Sequence, residues 1–285
     1  MELTGRTAVV IGGGSGIGRG IALGLAAAGM RVAVADIHAE SAQSVRDEIG
    51  AAGATAIAVT ADATDRAALH HLAEQVVEEL DAVHVLVSTV GVIIDRRLDE
   101  ASDDDWGWLL EFNLMAVVRG VNVFLPFLRA HGEPAHIVCT SSMAGLLALP
   151  PAVVGGVFNG LYTTTKHALI GYCAMLRDEL APEGIGVSVL CPGLVQGNLG
   201  VTSARNRPDR YGGPTAPREG GMPPSAMPSV AVGPIVVRAI ESDRLYIFTH
   251  PETVGLVQAR HDATLEDFAF YADASGTAPA DDTDS

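Results

Sequence analysis

The chain has 285 residues, 48% hydrophobic and 18% charged with 32 glycines, enough for one large α/β domain or two small ones. A formal charge of −16 excludes a nucleic-acid partner, whose binders carry basic stripes, and disfavours an anionic membrane surface. Cys139, Cys173 and Cys191 sit in apolar runs with no metal-type spacing, so they read as buried small hydrophobes; neither a metal site nor a disulfide frame is expected. The first ten residues lack the pattern of a signal peptide, and no apolar stretch approaches a membrane span, so a cytoplasmic location is expected.

In chain order, the β-branched run Thr7–Ile11 breaks into Gly12-Gly13-Gly14-Ser15-Gly16. Ile17, Ile21, Leu25 and Ala28 then recur at helical spacing, and Gly29 closes that helix. A strand over Arg31–Ala35, a helix near Glu40–Gly50, a strand over Thr55–Thr60 and a helix over Asp65–Leu80 follow. His84–Val87 is the fourth strand, Asp103–His131 a long helix and His136–Thr140 the fifth strand. Tyr162–Ala181 reads as a helix and Gly186–Leu190 as the sixth strand. Six prolines and many glycines make Gln196–Pro228 a long mobile loop of the kind that serves as a lid. Helix Val230–Ser242 and strand Leu245–Thr249 follow, then a terminal helix over 251–271 and a disordered acidic tail over 272–285. Strands apolar on both faces, alternating with helices, predict a single doubly wound Rossmann-type α/β domain over 1–250. Its seven-stranded sheet should be mostly parallel, with helices on both faces.

The chemistry-bearing residues fall at the ends of these strands. Gly12, Ser15, Gly16, Ile17 and Gly18 sit between strand and helix, where backbone can approach a pyrophosphate. Asp36, 20 residues after Gly16, is placed to hydrogen-bond adenosine ribose hydroxyls, or else to cap the next helix. On the first reading it selects NAD over NADP, because Ile37 and not an arginine follows it. Asp62, with Ala63 beside it, either meets the adenine edge or turns the chain before the next helix.

Tyr162 and Lys166 are four apart on one helix, hence on one face. Bringing a phenol from its reference pKa to neutrality takes about 4 kcal/mol, and a cation about 4 Å away at an effective dielectric of about 20 supplies a similar amount. Of 18 basic residues, seventeen are arginine; Lys166 alone is lysine. A compact ammonium suits a contact to ribose hydroxyls better than a planar guanidinium does. Ser141-Ser142 lies at the end of the fifth strand, where α/β ligands bind, and a hydroxyl there can hold a substrate oxygen or simply turn the chain. Asn113, mid-helix, can anchor a water or satisfy a backbone carbonyl.

Gly12-x-x-x-Gly16-Ile17-Gly18, Asn113, Ser142, Tyr162-x-x-x-Lys166 and Pro192-Gly193 together resemble the short-chain dehydrogenase/reductase family, over roughly Leu3 to Thr249. The resemblance implies that Tyr162 is the general acid/base, that Ser142 orients the substrate oxygen, and that Lys166 binds the nicotinamide ribose and lowers the tyrosine pKa. It gives Asn113 a water in a proton relay and places Pro192, Gly193 and Val195 on the nicotinamide side, with Ser88 and Gly91 bordering the cofactor. The family's Asn-Asn-Ala-Gly is here Ser88-Thr89-Val90-Gly91, which loses amide hydrogen bonds that brace the central strands, and Gly197 with Asn198 replaces a carboxamide-binding threonine. The insert Leu146–Leu161 should wall the substrate site with Leu149, Val153, Val154 and Phe158. Asn198–Tyr211 and Leu245–Glu252 are similar to bacterial NAD-dependent dehydrogenases of benzylic alcohols, including lignin Cα-dehydrogenases. The expected activity is NAD-dependent interconversion of a secondary alcohol and a ketone bearing a bulky apolar or aromatic group. Arg205, Arg207 and Arg210 leave a carboxylate-bearing substrate open. The alternatives are a dehydratase or epimerase on the same fold, or an NAD-binding protein without turnover. By resemblance the chain is a homo-oligomer, a tetramer or dimer, built on the helices Asp103–His131 and Tyr162–Ala181.

Overall fold

Strands with no polar face must be covered on both sides, and that requirement organises the computed structural model. It describes residues 1–152, 155–217 and 223–275. The chain divides into two units, Met1–Thr249 and His250–Ser285.

In the first unit the described residues form β1 (Thr7–Ile11), α1 (Gly16–Ala27), β2 (Arg31–Asp36), α2 (Ala39–Ala51), β3 (Ala56–Thr60), α3 (Arg66–Leu80) and β4 (Val85–Ser88). They continue with α4 (Asp103–Leu110), α5 (Ala116–Ala130), β5 (Ala135–Thr140), α6 (Gly160–Leu180), β6 (Ile185–Cys191), α7 (Leu199–Arg205), α8 (Val232–Glu241) and β7 (Tyr246–Phe248). All seven strands are parallel, in the order β3-β2-β1-β4-β5-β6-β7. This is the doubly wound sheet expected from the alternation of elements. Successive residues face opposite sides: Val10, Val34, Val87 and Val138 join Ile21 and Leu25 of α1 and Val236 and Ile240 of α8 in one core. On the other side α3 packs on α5, α5 on β4 and β5, and α6 on β6. The order in which strands are added reverses beside β1, which lies between β2 and β4, so the cleft opens at the carboxyl ends of those strands.

The expected long helix Asp103–His131 is interrupted. Ser102 and Asp105 form a reciprocal capping box at its start, and a π-helical turn, Glu111–Met115, separates α4 from α5. The extra residue of a π turn rotates the side chains that follow, here carrying the polar Asn113 into full burial. By length and composition Asp103–Ala130 could cross a membrane, but Val117, Val121, Phe124 and Leu128 are buried in this fold.

Gln196–Pro228 also departs from expectation, since much of it is ordered. It holds α7 and a 3-10 turn at Asp209–Tyr211, the backbone of Gln196 and Met227 is paired, and residues 218–222 lie outside the described ones. A seven-residue helix containing a glycine gives too little periodicity to be read beside six prolines. In the second unit, a 3-10 turn leads into α9 (Val254–Ser275), which runs through part of the segment expected to be disordered; residues 276–285 lie outside the described ones.

Candidate active site

A groove of about 330 Å³ runs along the carboxyl ends of β1, β2, β4, β5 and β6. Gly12, Ser15, Gly16, Ile17 and Gly18 line its floor, Asp36, Ile37, Asp62 and Ala63 one end, and Pro192, Gly193 and Val195 the other. Gly91, Ser142, Tyr162 and Lys166 line it as well. Two sequence-selected residues do not. Ser88 is buried in β4, paired with Ile11 on one side and Cys139 on the other, and Thr89 takes its place in the groove. Asn113 stands behind the groove wall.

The adenosine end is built around Asp36. Its Oδ2 accepts from the Gly14 amide at 2.9 Å and its Oδ1 from the His38 amide at 3.0 Å. The N-cap of α2 is His38, so Asp36 is not the helix cap. Side chain and loop fit closely: a Cβ on Gly14 would lie 2.8 Å from that carboxylate and 2.7 Å from the Ser41 Cβ. Asp62 turns the chain, its Oδ1 accepting from the Thr64 amide and hydroxyl, each at 2.8 Å, and it also lines the groove. The bracing expected to be lost with the Asn-Asn pair is supplied by a hydroxyl. Thr89 Oγ1 lies 2.9 Å from the Ile11 carbonyl and 3.0 Å from that of Gly12, tying β4 to the glycine loop.

At the other end the residues converge on α6. Ser141 Oγ donates to the Lys166 carbonyl at 2.9 Å, clamping the helix to the end of β5. The Asn113 amide is fully engaged with protein: Nδ2 donates to the Val92 carbonyl at 3.0 Å and Thr165 Oγ1 at 2.9 Å, and Oδ1 accepts from the Val92 amide at 2.7 Å. It therefore satisfies backbone and positions α6, so a water held by Asn113 would need its main chain. Lys166 is buried, and its Nζ donates to the Thr140 carbonyl at 2.8 Å and lies 5.6 Å from the Tyr162 ring centroid. A Cβ on Gly91 would come within 3.3 Å of that nitrogen and 3.2 Å of Asn113 Oδ1, so the glycine makes room for both.

Electrostatically the site differs from the simple picture of a lysine lowering a neighbouring phenol. Burial pushes the Tyr162 phenol up to about 12, while the Ser142 hydroxyl, bonded to it, pulls the other way. Burial also brings Lys166 down from 10.5 to about 8, with the nearby Cys139, Cys173 and Cys191 acting in the opposite direction. The ammonium is held on the Thr140 carbonyl and over the ring, and desolvation is the largest influence on both groups.

Sequence reasoning gave no role to Thr89, Thr140, Thr165 and Phe112, and chose Ser142 over its neighbour Ser141. The hydroxyl run Thr140-Ser141-Ser142 at a strand end is the signal that could have found two of them; Thr165 is marked only by lying inside the Tyr162–Lys166 turn. The expected apolar wall is also placed differently. Val153 and Val154 lie outside the described residues, and neither Leu149 nor Phe158 lines the groove. Val92, Phe112 and Leu199 do, next to an apolar cluster of Trp108, Leu109 and Leu161 with Ile93, Ile94 and Tyr211 against it. Of the lid arginines, Arg207 is spent on structure. Its guanidinium pairs with buried Asp105 at 2.7 Å and stacks 4.9 Å from the Trp108 ring centroid, and Ser203 accepts from the Ile93 amide at 3.0 Å.

A parallel sheet ordered 3-2-1-4-5-6-7, with a glycine loop at its switch point and a tyrosine, lysine and serine at the adjoining strand ends, defines a dinucleotide-binding oxidoreductase. The model of the short chain dehydrogenase family matches residues 6–208, and the chain belongs to that family. It is 33% identical over 254 residues to a 1-deoxy-11-beta-hydroxypentalenate dehydrogenase of Streptomyces exfoliatus, covering 88% of this chain and 86% of that one. It is 30% identical over 277 residues to a C alpha-dehydrogenase of Sphingobium, covering 93% and 87%. Among solved structures it is similar to a Burkholderia phymatum short chain dehydrogenase/reductase in complex with NAD, with a TM-score of 0.84, 32% identity and coverage of 94% and 96%. It is also similar to apo LigO of Sphingobium, with a TM-score of 0.79, 30% identity and coverage of 97% and 94%.

Proposed function

We propose that the protein is an NAD-dependent dehydrogenase that interconverts a secondary alcohol and its ketone, on a substrate with a bulky apolar or aromatic group. The observation that carries this reading is the convergence of Ser142, Tyr162 and Lys166 on the inner end of one groove whose outer end holds the Gly14–Asp36 pair. The groove suits a dinucleotide. Its glycine loop leaves no room for a side chain beside Asp36, and the buried Thr140 Oγ1 in its wall has no protein partner among the described residues. The glycine-loop amides would hold the pyrophosphate, Asp36 the adenosine ribose and Lys166 the nicotinamide ribose. When bound, the nicotinamide supplies the hydride acceptor for oxidation and the donor for reduction.

In oxidation, Tyr162 as phenolate takes the proton of the substrate hydroxyl, oriented by Ser142, while the carbinol C–H bond breaks; in reduction Tyr162 returns that proton to the forming alkoxide. The Lys166 ammonium, alone of its kind among the described residues lining the groove, stabilises the phenolate. The carboxylate of Asp36 opposes a 2′-phosphate by like-charge repulsion. The apolar surface of Val92, Phe112 and Leu199, with Arg207 already paired, suits an uncharged bulky substituent. The named activities of the Streptomyces and Sphingobium relatives, both dehydrogenases, support the class. A screen of secondary alcohols, benzylic, alicyclic and steroidal, read by NADH absorbance, tests it. Turnover of at least one bulky alcohol with NAD+ is the expected result, and turnover only with NADP+, or with none of them, would overturn it.

A further inference from the structure

A second cavity, about 360 Å³, lies at the opposite, amino-terminal edge of the sheet, where β5 and β6 begin and α6 and α8 end. Its lining is apolar at Pro134, Ile185 and Ile240 and polar where His136, Arg177 and Asp243 meet.

The hydrogen-bond pattern there fixes the protons. Ser188 Oγ lies 2.6 Å from the Arg244 carbonyl, which can only accept, so the serine proton goes to that carbonyl. His136 Nε2, 2.7 Å from the same Oγ, must therefore be the donor in that contact. Burial lowers the His136 pKa to about 4, so the ring is neutral at pH 7 and its Nδ1 is a bare acceptor. Nδ1 faces Asp243 Oδ1 at 3.9 Å, acceptor against acceptor and too far for a direct bond. Arg177 already holds Asp243, donating to both carboxylate oxygens at 2.9 and 2.8 Å, which fixes the carboxylate and offsets its charge. Gly186, which lines the same cavity, has no side chain to come between the two acceptors. A Cβ on Gly186 would lie 2.4 Å from His136 Nδ1 and 2.6 Å from Asp243 Oδ1.

We propose that this cavity is a second ligand site, separate from the oxidoreductase groove, for a small molecule that presents an uncharged –NH₂ group to His136 Nδ1 and Asp243 Oδ1 and lays an apolar body against Ile185 and Ile240. Two acceptors side by side call for two hydrogens on one atom, which a primary carboxamide or aromatic amine supplies and an ether, ester or carboxylate does not. A cation is disfavoured by Arg177, whose guanidinium lines the same cavity.

Benzamide is the probe. In protein labelled with ¹⁵N-histidine, His136 is assigned by loss of its signals in His136→Gln, and benzamide is titrated in with N,N-dimethylbenzamide as the donor-free control. The expected result is a saturable shift of the His136 Nδ1 resonance with benzamide and none with the dimethyl compound. Gly186→Ala, which puts a methyl between the acceptors, and Ala181→Phe, on an exposed turn at the cavity wall, should each weaken that binding about tenfold or more, as loss of one or two hydrogen bonds or of the space would. The second variant keeps the test valid if the first does not fold. No shift up to the solubility limit (a water alone between the acceptors), an equal shift with the dimethyl compound, or an unchanged shift in a folded blocking variant would overturn the proposal. The readout needs no turnover, so it is independent of the proposed activity.

Discussion

Replacing Lys166 by methionine removes a buried charge while keeping most of the side-chain volume, and it separates what the lysine costs from what it does. The ordinary lysine pKa of 10.5 falls to about 8 in the fold because burial penalises the ammonium. That difference corresponds to about 3 kcal/mol against the charged form. The sign follows from proton counting. Between about pH 8 and 10.5 the unfolded chain binds the proton and the folded chain does not, so raising pH through that window favours the native state; below pH 8 both states are protonated and the full penalty stands. The methionine variant carries no such penalty, although it leaves the Thr140 carbonyl without its 2.8 Å donor, at a cost of about 1–3 kcal/mol. At pH 7 the variant should therefore be as stable as the parent or up to about 2 kcal/mol more stable, and inactive. Urea denaturation at pH 7 and at pH 10.5 should show its relative advantage shrinking by about 3 kcal/mol, because the parent alone gains. A stability difference that stays constant with pH would refute a desolvated lysine at this position.

Tyr162→Phe should lower kcat by about 10²–10⁴-fold with NADH affinity unchanged within about twofold, since only the proton-transfer atom is removed; fluorescence titration supplies the affinity. Asp36→Asn removes the charge and keeps a single acceptor oxygen, so one of the Gly14 and His38 amides loses its partner. The ratio of kcat/KM for NADP+ over NAD+ should rise about tenfold or more, and no change would deny Asp36 its place at the ribose. Arg207→Met leaves buried Asp105 with only the longer, 3.7 Å contact to half-exposed Arg96 and should cost about 3 kcal/mol in denaturation, with KM for the alcohol raised because the segment following α7 loses its anchor on α4. Arg207→Met combined with Asp105→Asn should recover most of that loss.

The parts of the fold legible in the sequence are those where one requirement acts alone. Runs such as Thr7–Ile11 and His136–Thr140 are apolar on both faces because both faces are covered, and the parallel sheet follows from that. The glycine loop was legible because strand, glycines and helix stand in one continuous stretch, and Tyr162 and Lys166 because one turn of helix joins them. What stayed hidden depends on partners distant in the chain. Nothing near Asn113 announces that its amide will bind Val92 and Thr165 and so sit on a π turn. Thr89 does by hydroxyl what the family does by amide, and only the approach of β4 to Ile11 reveals it. Arg207 looked like a substrate ligand until Asp105, on a different helix, was seen to claim it. The prolines of 196–228 hid α7 because its stability comes from Ser203 on Ile93 and Arg207 on Trp108 and not from its own sequence.

These contacts also explain why one lysine survives among seventeen arginines. At most surface positions the two cations are interchangeable, but position 166 is bounded by the Thr140 carbonyl, Asn113, the backbone of Gly91 and three cysteines whose own side chains are buried. A lysine fits because its three donors sit on one small atom and because it can yield part of its proton affinity to burial. An arginine could do neither. It stays charged at any working pH and would bring five donors to a place with one carbonyl to receive them. Lys166→Arg should thus retain the charge yet behave worse than Lys166→Met, losing about 2 kcal/mol or more to crowding and unmatched donors and falling at least as far in turnover. If the arginine variant instead turned over near the parent rate, positive charge alone would suffice at this position, and the role given to a compact, desolvated ammonium would be wrong.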